Sequence, residues 1–277
     1  MSLLGFQSAL AHFVRASAQA STTEASRDAQ DGFDLDAMER EELARLKQSR
    51  GMQVTRRIRR SWCEGRAANA ARLTLSALPL EERQRIVREW VDSGGGAGAF
   101  STGEAEAFLA FIAARQADPS HALTLARFEW AVLRAARAMP TFQPPDPAIL
   151  SEPQTHICVG SFAALVDFFA EPTRLLAAVE NGEPLPSLAV ERHRMLIAPG
   201  LPGLCRIARS NEAALWDRLA MPVTMAKLAA DGCRRATIAA FVAVGAAAPW
   251  TAPHSCAPEE AGRAGDVAGF RAGAARA

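Results

Sequence analysis

The chain has 277 residues, 49% hydrophobic and 22% charged, with 31 Lys and Arg against 30 Asp and Glu and a formal net charge of +1. That length suits one or two domains burying most of their unfolded surface, and such hydrophobicity with so little net charge excludes a chain disordered throughout. Near-neutral charge also removes the basic excess of a general nucleic-acid binder, so nucleic acid is not an expected partner.

The opening MSLLGFQSALAHFVRASA predicts a helix over 1–18, apolar on one face. His12 and Arg15 interrupt it and no basic segment precedes it, so neither a signal peptide nor a membrane span is expected. Residues 19–34 are small and polar and predict a linker. Within this stretch a calcium loop counted from Asp28 would need glycine where Phe33 stands, which rejects it. Helical character then runs from 35 to 139. Val54, Ile58 and Trp62 recur every four residues and share one helix face, while Arg56, Arg57, Arg59 and Arg60 fall around it as a solvated face balanced by nearby glutamates. Leu80 to Val91 forms another amphipathic segment, stopped by Gly94, Gly95 and Gly96. With Gly98 these follow a helix rather than a strand and lack the Lys-Ser/Thr of a phosphate cradle. Ser101 with Glu104 reads as a capping box, and Ser120 as the cap of a last helix whose Leu125, Phe128 and Val132 share a stripe. About five helices are expected here, forming a bundle.

Five prolines between Met139 and Gln154 form a semi-rigid connector over 140–153 and mark a domain boundary. The following domain, 154–248, changes character. Thr155 to Val159 predicts a strand; His193 to Gly200 and Leu204 to Ala208 predict a hairpin with Pro and Gly in its loop. Three helices follow, over Asn211 to Ala220, Val223 to Asp231 and Arg234 to Val244, and the Ala- and Gly-rich tail, 249–277, is expected to be disordered. The predicted fold class is mainly α: an N-terminal helical bundle followed by a small α+β winged helix-turn-helix domain.

Chemistry is sparse. Five cysteines without a CxxC suit reduced thiols and a cytoplasmic location. His156 and Cys158 would share a strand face, but two ligands do not close a zinc site, and no nucleophile motif assembles a triad. No metal, catalytic residue or cofactor is assigned to this chain.

The stretch RMLIAPGLPGLCRIARSNEAALWDRLAMPVTMAKLAADGCRRATIAAFVAVGAA, about 60 residues, resembles the winged-helix peptide chaperones typified by the pyrroloquinoline-quinone biosynthesis chaperone, the recognition elements for ribosomally made precursor peptides (RiPPs). Shared features are a strand ending in Ala198-Pro199, a short second strand, the helix start at Asn211 to Trp216, a turn with Pro222-Val223-Thr224, and a final helix ending in Gly245. The whole layout, with its opening FQSALAHFVR helix, resembles partner subunits of multinuclear non-heme iron oxidative enzymes known from methanobactin and 3-thiaglutamate pathways. The resemblance implies a heterodimer in which the iron belongs to the partner enzyme and this chain presents a precursor peptide, with no membrane involved. It implies strand addition along Leu204, Cys205, Arg206, Ile207, Ala208 and Arg209, with side chains packing on Arg235, Ile238, Phe241 and Val242 and the arginines meeting acidic leader residues. A winged-helix DNA-binding regulator and an unrecognised helical enzyme are the alternatives.

Overall fold

A computed structural model describes residues 3–15, 33–96 and 102–250. Residues 19–32 of the predicted linker, Gly98, Ser101 with its capping box, and 251–277 of the predicted tail lie outside the described residues. The chain is mainly helical, with two small antiparallel sheets.

The first half contains α1 (Leu3–Arg15), α2 (Ala37–Gln48), α3 (Arg50–Ala70), α4 (Arg72–Ser76), α5 (Leu80–Asp92), α6 (Thr102–Ala113) and α7 (His121–Ala138). Local side chains set these ends. Asp36 accepts from the Glu39 amide at 2.8 Å while Glu39 accepts from the Asp36 amide at 2.9 Å, a reciprocal cap that starts α2. Ser49 then caps α3 through the Met52 amide, and Ser120 caps α7 through the Leu123 amide, as its position predicts.

One apolar cluster joins Ala67 of α3, Ile86 of α5, Phe108, Leu109 and Ile112 of α6 and Leu123 of α7; a smaller one seats Phe13 of α1 on Leu43 of α2. The arginine run on α3 is not simply solvated. Arg56 donates to the Phe13 carbonyl at 2.8 Å, and Arg60 holds both Glu64 and Asp92, at 2.9 and 2.8 Å, latching α3 onto α1 and α5. The stripe of Val54, Ile58 and Trp62 does share one face, but that face points to solvent.

Beyond α7 the proline run forms two short 3-10 turns, Met139–Thr141 and Pro147–Ser151. The second half contains β1 (His156–Val159), β2 (Ala164–Phe168), α8 (Pro172–Asn181), β3 (His193–Ile197), β4 (Cys205–Ile207), α9 (Ser210–Arg218), β5 (Val223–Thr224), α10 (Met225–Ala230), α11 (Arg235–Ala243) and β6 (Ala247–Pro249). The predicted hairpin is present as β3–β4, with Met195 opposite Ile207 and Ile197 opposite Cys205. The strand predicted at 155–159 is present as β1, but in a separate sheet, between β5 and β6.

Sheet β2–β3–β4 is the middle layer of the molecule. Alternation along its strands sends Val166, Phe168, Met195 and Ile197 to one face, where they pack on Leu125, Phe128, Ala131 and Ala135 of α7 and on Leu175 and Val179 of α8. Leu165 and Leu196 face the other way, into a core shared with Leu215 of α9, Leu228 of α10 and Ile238 and Phe241 of α11. Helix α7, before the proline run, and the sheet, after it, thus share one apolar layer. Among the described residues no helix is long and apolar enough to cross a membrane.

Candidate functional site

Strand β4 lies at the edge of its sheet, paired only to β3 among the described residues. The Leu204 carbonyl accepts from Ala198 and the Ala208 amide donates to Arg194, so these backbone groups turn inward to β3. In an antiparallel ladder the direction alternates, which turns the backbone groups of Cys205 and Ile207 outward. That outer edge is a short row of main-chain donors and acceptors of the kind an extended segment pairs with, of which the Ile207 carbonyl already accepts from the Arg206 guanidinium at 3.3 Å. The Ile207 side chain beside it is 49% exposed.

What holds β4 in place is an ion pair. Arg206 occupies the sheet face toward α9 and gives Glu212 two hydrogen bonds, at 2.6 and 2.7 Å; Glu212 also accepts from the Arg209 amide at 2.8 Å. The Glu212 side chain is only 7% exposed. The Arg206 guanidinium holds this carboxyl below its ordinary pKa, and Glu212 in turn raises that of Arg206. Sequence reasoning missed Glu212, although a glutamate three residues past the start of a helix is the signal that finds it.

The structure redistributes the predicted peptide-binding residues. Leu204, Cys205, Arg206, Ile207, Ala208 and Arg209 do lie together on and around β4. Leu204 has a φ of +66°, the sharp turn that delivers the chain into the strand. Burial pushes the Cys205 thiol pKa up, so it is no ready thiolate. Three predictions on α11 are corrected: Ile238, Phe241 and Val242 are 1%, 0% and 2% exposed, filling the core rather than facing a peptide. Their helical spacing correctly puts them on one face, but that face is the one the helix buries. Two arginines are already engaged, Arg206 by Glu212 and Arg235 by the Ser151 hydroxyl at 2.7 Å. Arg209 is exposed, and its charge adds to that of Arg206 in lowering the Glu212 pKa.

One turn past β4, a cleft of about 380 Å³ opens between α9 and the turn before α11, lined by Asn211, Arg218, Cys233, Arg234 and Thr237 among others. Asn211 donates to the Thr237 hydroxyl across it at 3.5 Å. Asp231 at its rim is held by Lys227 at 2.9 Å, which leaves Arg218 and Arg234 as its cations without a carboxylate partner among the described residues.

Among the described residues no group of three His, Cys, Asp or Glu side chains converges as a metal site. His156 lies beside Trp250, with ring centroids 5.9 Å apart and planes tilted by 56°, and the Cys158 thiol donates to the Ala248 carbonyl. The chain matches no protein-family model, and no curated protein is significantly similar to it.

Proposed function

We propose that this chain is a non-catalytic partner protein that binds a ribosomally made precursor peptide in extended form and presents it to a multinuclear iron oxidative enzyme in the cytoplasm. The outer edge of β4 carries the reading: Cys205 offers its main-chain groups and Ile207 its amide to an added strand, the Ile207 carbonyl already accepting from the Arg206 guanidinium at 3.3 Å, and the exposed Ile207 side chain gives that strand apolar contact. In this reading β1 and the β3–β4 hairpin, leading into α9, α10 and α11, form a winged helix-turn-helix. The corrected peptide contacts are the β4 edge and Arg209, with Arg218 and Arg234 of the neighbouring cleft as partners for an acidic side chain.

The test selects peptides from a random displayed library on the full chain and measures each by fluorescence anisotropy. The Ile207 amide faces outward, so Ile207→Pro removes a donor that β3 does not use, and proline is tolerated on an edge strand. The expected result is binding weakened by about tenfold, one hydrogen bond and its neighbourhood, with an unchanged circular dichroism spectrum. Selected peptides that bind wild type and Ile207→Pro equally refute the edge site.

A further inference from the structure

Strand β1 carries a histidine and a cysteine on its outer face. Ile157 between them is fully buried in the C-terminal core, so alternation sends His156 and Cys158 to the opposite side, where His156 is exposed and Cys158 partly so. The cross-strand neighbour of Cys158 on β6 is Ala248, too small a side chain to cover the thiol, and the Trp250 indole stands beside His156. Same-face neighbours along a strand are about 7 Å apart. From that spacing an imidazole nitrogen and a sulfur can meet one metal ion at about 2.0 and 2.3 Å. By themselves the two do not close a site, and among the described residues no third His, Cys, Asp or Glu joins them.

The same His-x-Cys spacing occurs once more in the chain, at His254 and Cys256, which lie outside the described residues. With five cysteines in 277 residues, a given histidine has a cysteine two positions later about once in fifty-five, so two such pairs among five histidines arise by chance about three times in a thousand. The pairing of β1 with β6 also brings the two pairs within reach of each other. The Trp250 amide donates to the His156 carbonyl at 2.8 Å, which sets the chain against the first pair four residues before His254. Four residues span at most about 14 Å, and the six to Cys256 about 21 Å.

We propose that His156, Cys158, His254 and Cys256 bind one zinc ion, tethering the segment after β6 to the outer face of β1. Two thiolates and two imidazoles are the donor set of a tetrahedral structural zinc site, and four protein ligands leave no position for a substrate. Each thiol gives up its proton on binding, and the two thiolates neutralise the dication. The sheet that gains from the tether is built from strands of only four, two and three residues. An ion that binds only the folded arrangement stabilises it by mass action. The inference is independent of the peptide reading.

The test titrates the full chain, reduced and metal-free, with zinc in competition with a chromophoric chelator, and with cobalt(II) as a spectroscopic probe. The expected result is one equivalent per chain, the visible bands of tetrahedral cobalt with a thiolate charge-transfer band, and a Tm that rises with zinc. Zinc should also protect Cys158 and Cys256 together from alkylation, mapped by mass spectrometry, while the partly exposed Cys233 still reacts. Cys256→Ser alters no residue of the described fold. It should weaken zinc binding by at least about 100-fold, since a lost ligand costs more than a lost outer partner, and remove the rise in Tm; Cys233→Ser should change neither. Absence of binding, half an equivalent per chain, protection of only one of the two cysteines, or a Cys256→Ser chain that binds zinc as tightly as the wild type overturns the proposal.

Discussion

Removing either partner of the Arg206–Glu212 pair should destabilise the fold, but unequally. The Arg206 side chain is 37% exposed and Glu212 7% exposed, so the two ends bear different desolvation. Arg206→Ala strands a buried carboxylate, the situation that costs about 3–5 kcal/mol. Glu212→Ala leaves an arginine that reaches water and an amide at a solvent-facing helix start, and should cost about 1–2 kcal/mol, near the loss of a helix cap. At about 2–4 °C per kcal/mol for a chain of this size, the first variant should lose roughly 10 °C in Tm and the second roughly 4 °C. The double variant should lie well above the sum, with a coupling of about 1–3 kcal/mol in a double-mutant cycle. The pH dependence reverses between proteins. In the wild type the Glu212 pKa lies below its ordinary value of 4.5, so the pair's stabilisation is complete above that pH and is lost as pH falls through the lowered value. In Arg206→Ala the stranded carboxyl prefers its proton, its pKa rises, and stability is lost as pH rises instead. Going from pH 7 to pH 5 should therefore narrow the gap between Arg206→Ala and wild type. Urea titrations followed by circular dichroism measure all of this, because urea leaves ion pairs unscreened. Equal, small losses for both single variants with no coupling would show that water already separates the pair.

Glu129 accepts hydrogen bonds from the Leu73 and Thr74 amides at 2.8 and 2.9 Å and from the Thr74 hydroxyl at 2.6 Å, tying α7 to the start of α4. Burial raises its pKa, so its contribution is complete below the ordinary carboxylate range and declines as pH rises through the folded value; Glu129→Gln should flatten that slope in pH-resolved thermal melts. Gly160 donates its amide to the Ala246 carbonyl at 3.0 Å, and a Cβ there would strike the Gly245 carbonyl oxygen. Gly160→Ala should cost about 2 kcal/mol or more by forcing backbone apart, and a Tm within 1–2 °C of wild type would contradict that close approach. Residues 187–192 are all exposed, with Val190 fully so; within 102–250, limited proteolysis by trypsin should cut first after Arg192, and a first cut inside α7 would contradict the packing of that helix on the sheet.

Local chemistry made much of this chain legible in its sequence. Ser120 predicts the start of α7, the glycines after Val91 predict the end of α5, and Pro and Gly between two short apolar runs predict the β3–β4 hairpin, because caps and turns are decided by residues within one turn of each other. Periodicity likewise predicts that Val54, Ile58 and Trp62 share a face, and that Ile238 and Phe241 do. It does not say which face is covered. The α3 stripe faces solvent while the α11 stripe fills the core, since covering depends on what the rest of the chain brings alongside. Strand β2 escaped prediction because Ala164 to Phe168 carries a single polar residue, Asp167, too little alternation to signal a strand whose Val166 and Phe168 pack on α7 and whose Leu165 reaches the C-terminal core. Strands β5 and β6 are too short for any period and exist only because β1 lies between them. At the candidate site the split is the same: the sequence by itself determines an apolar-polar edge at Leu204 to Arg209. Only tertiary packing decided that Arg206 is taken up by Glu212, because a charge lowered into a poorly hydrated layer takes the nearest opposite charge, which leaves Ile207 and Arg209 facing solvent.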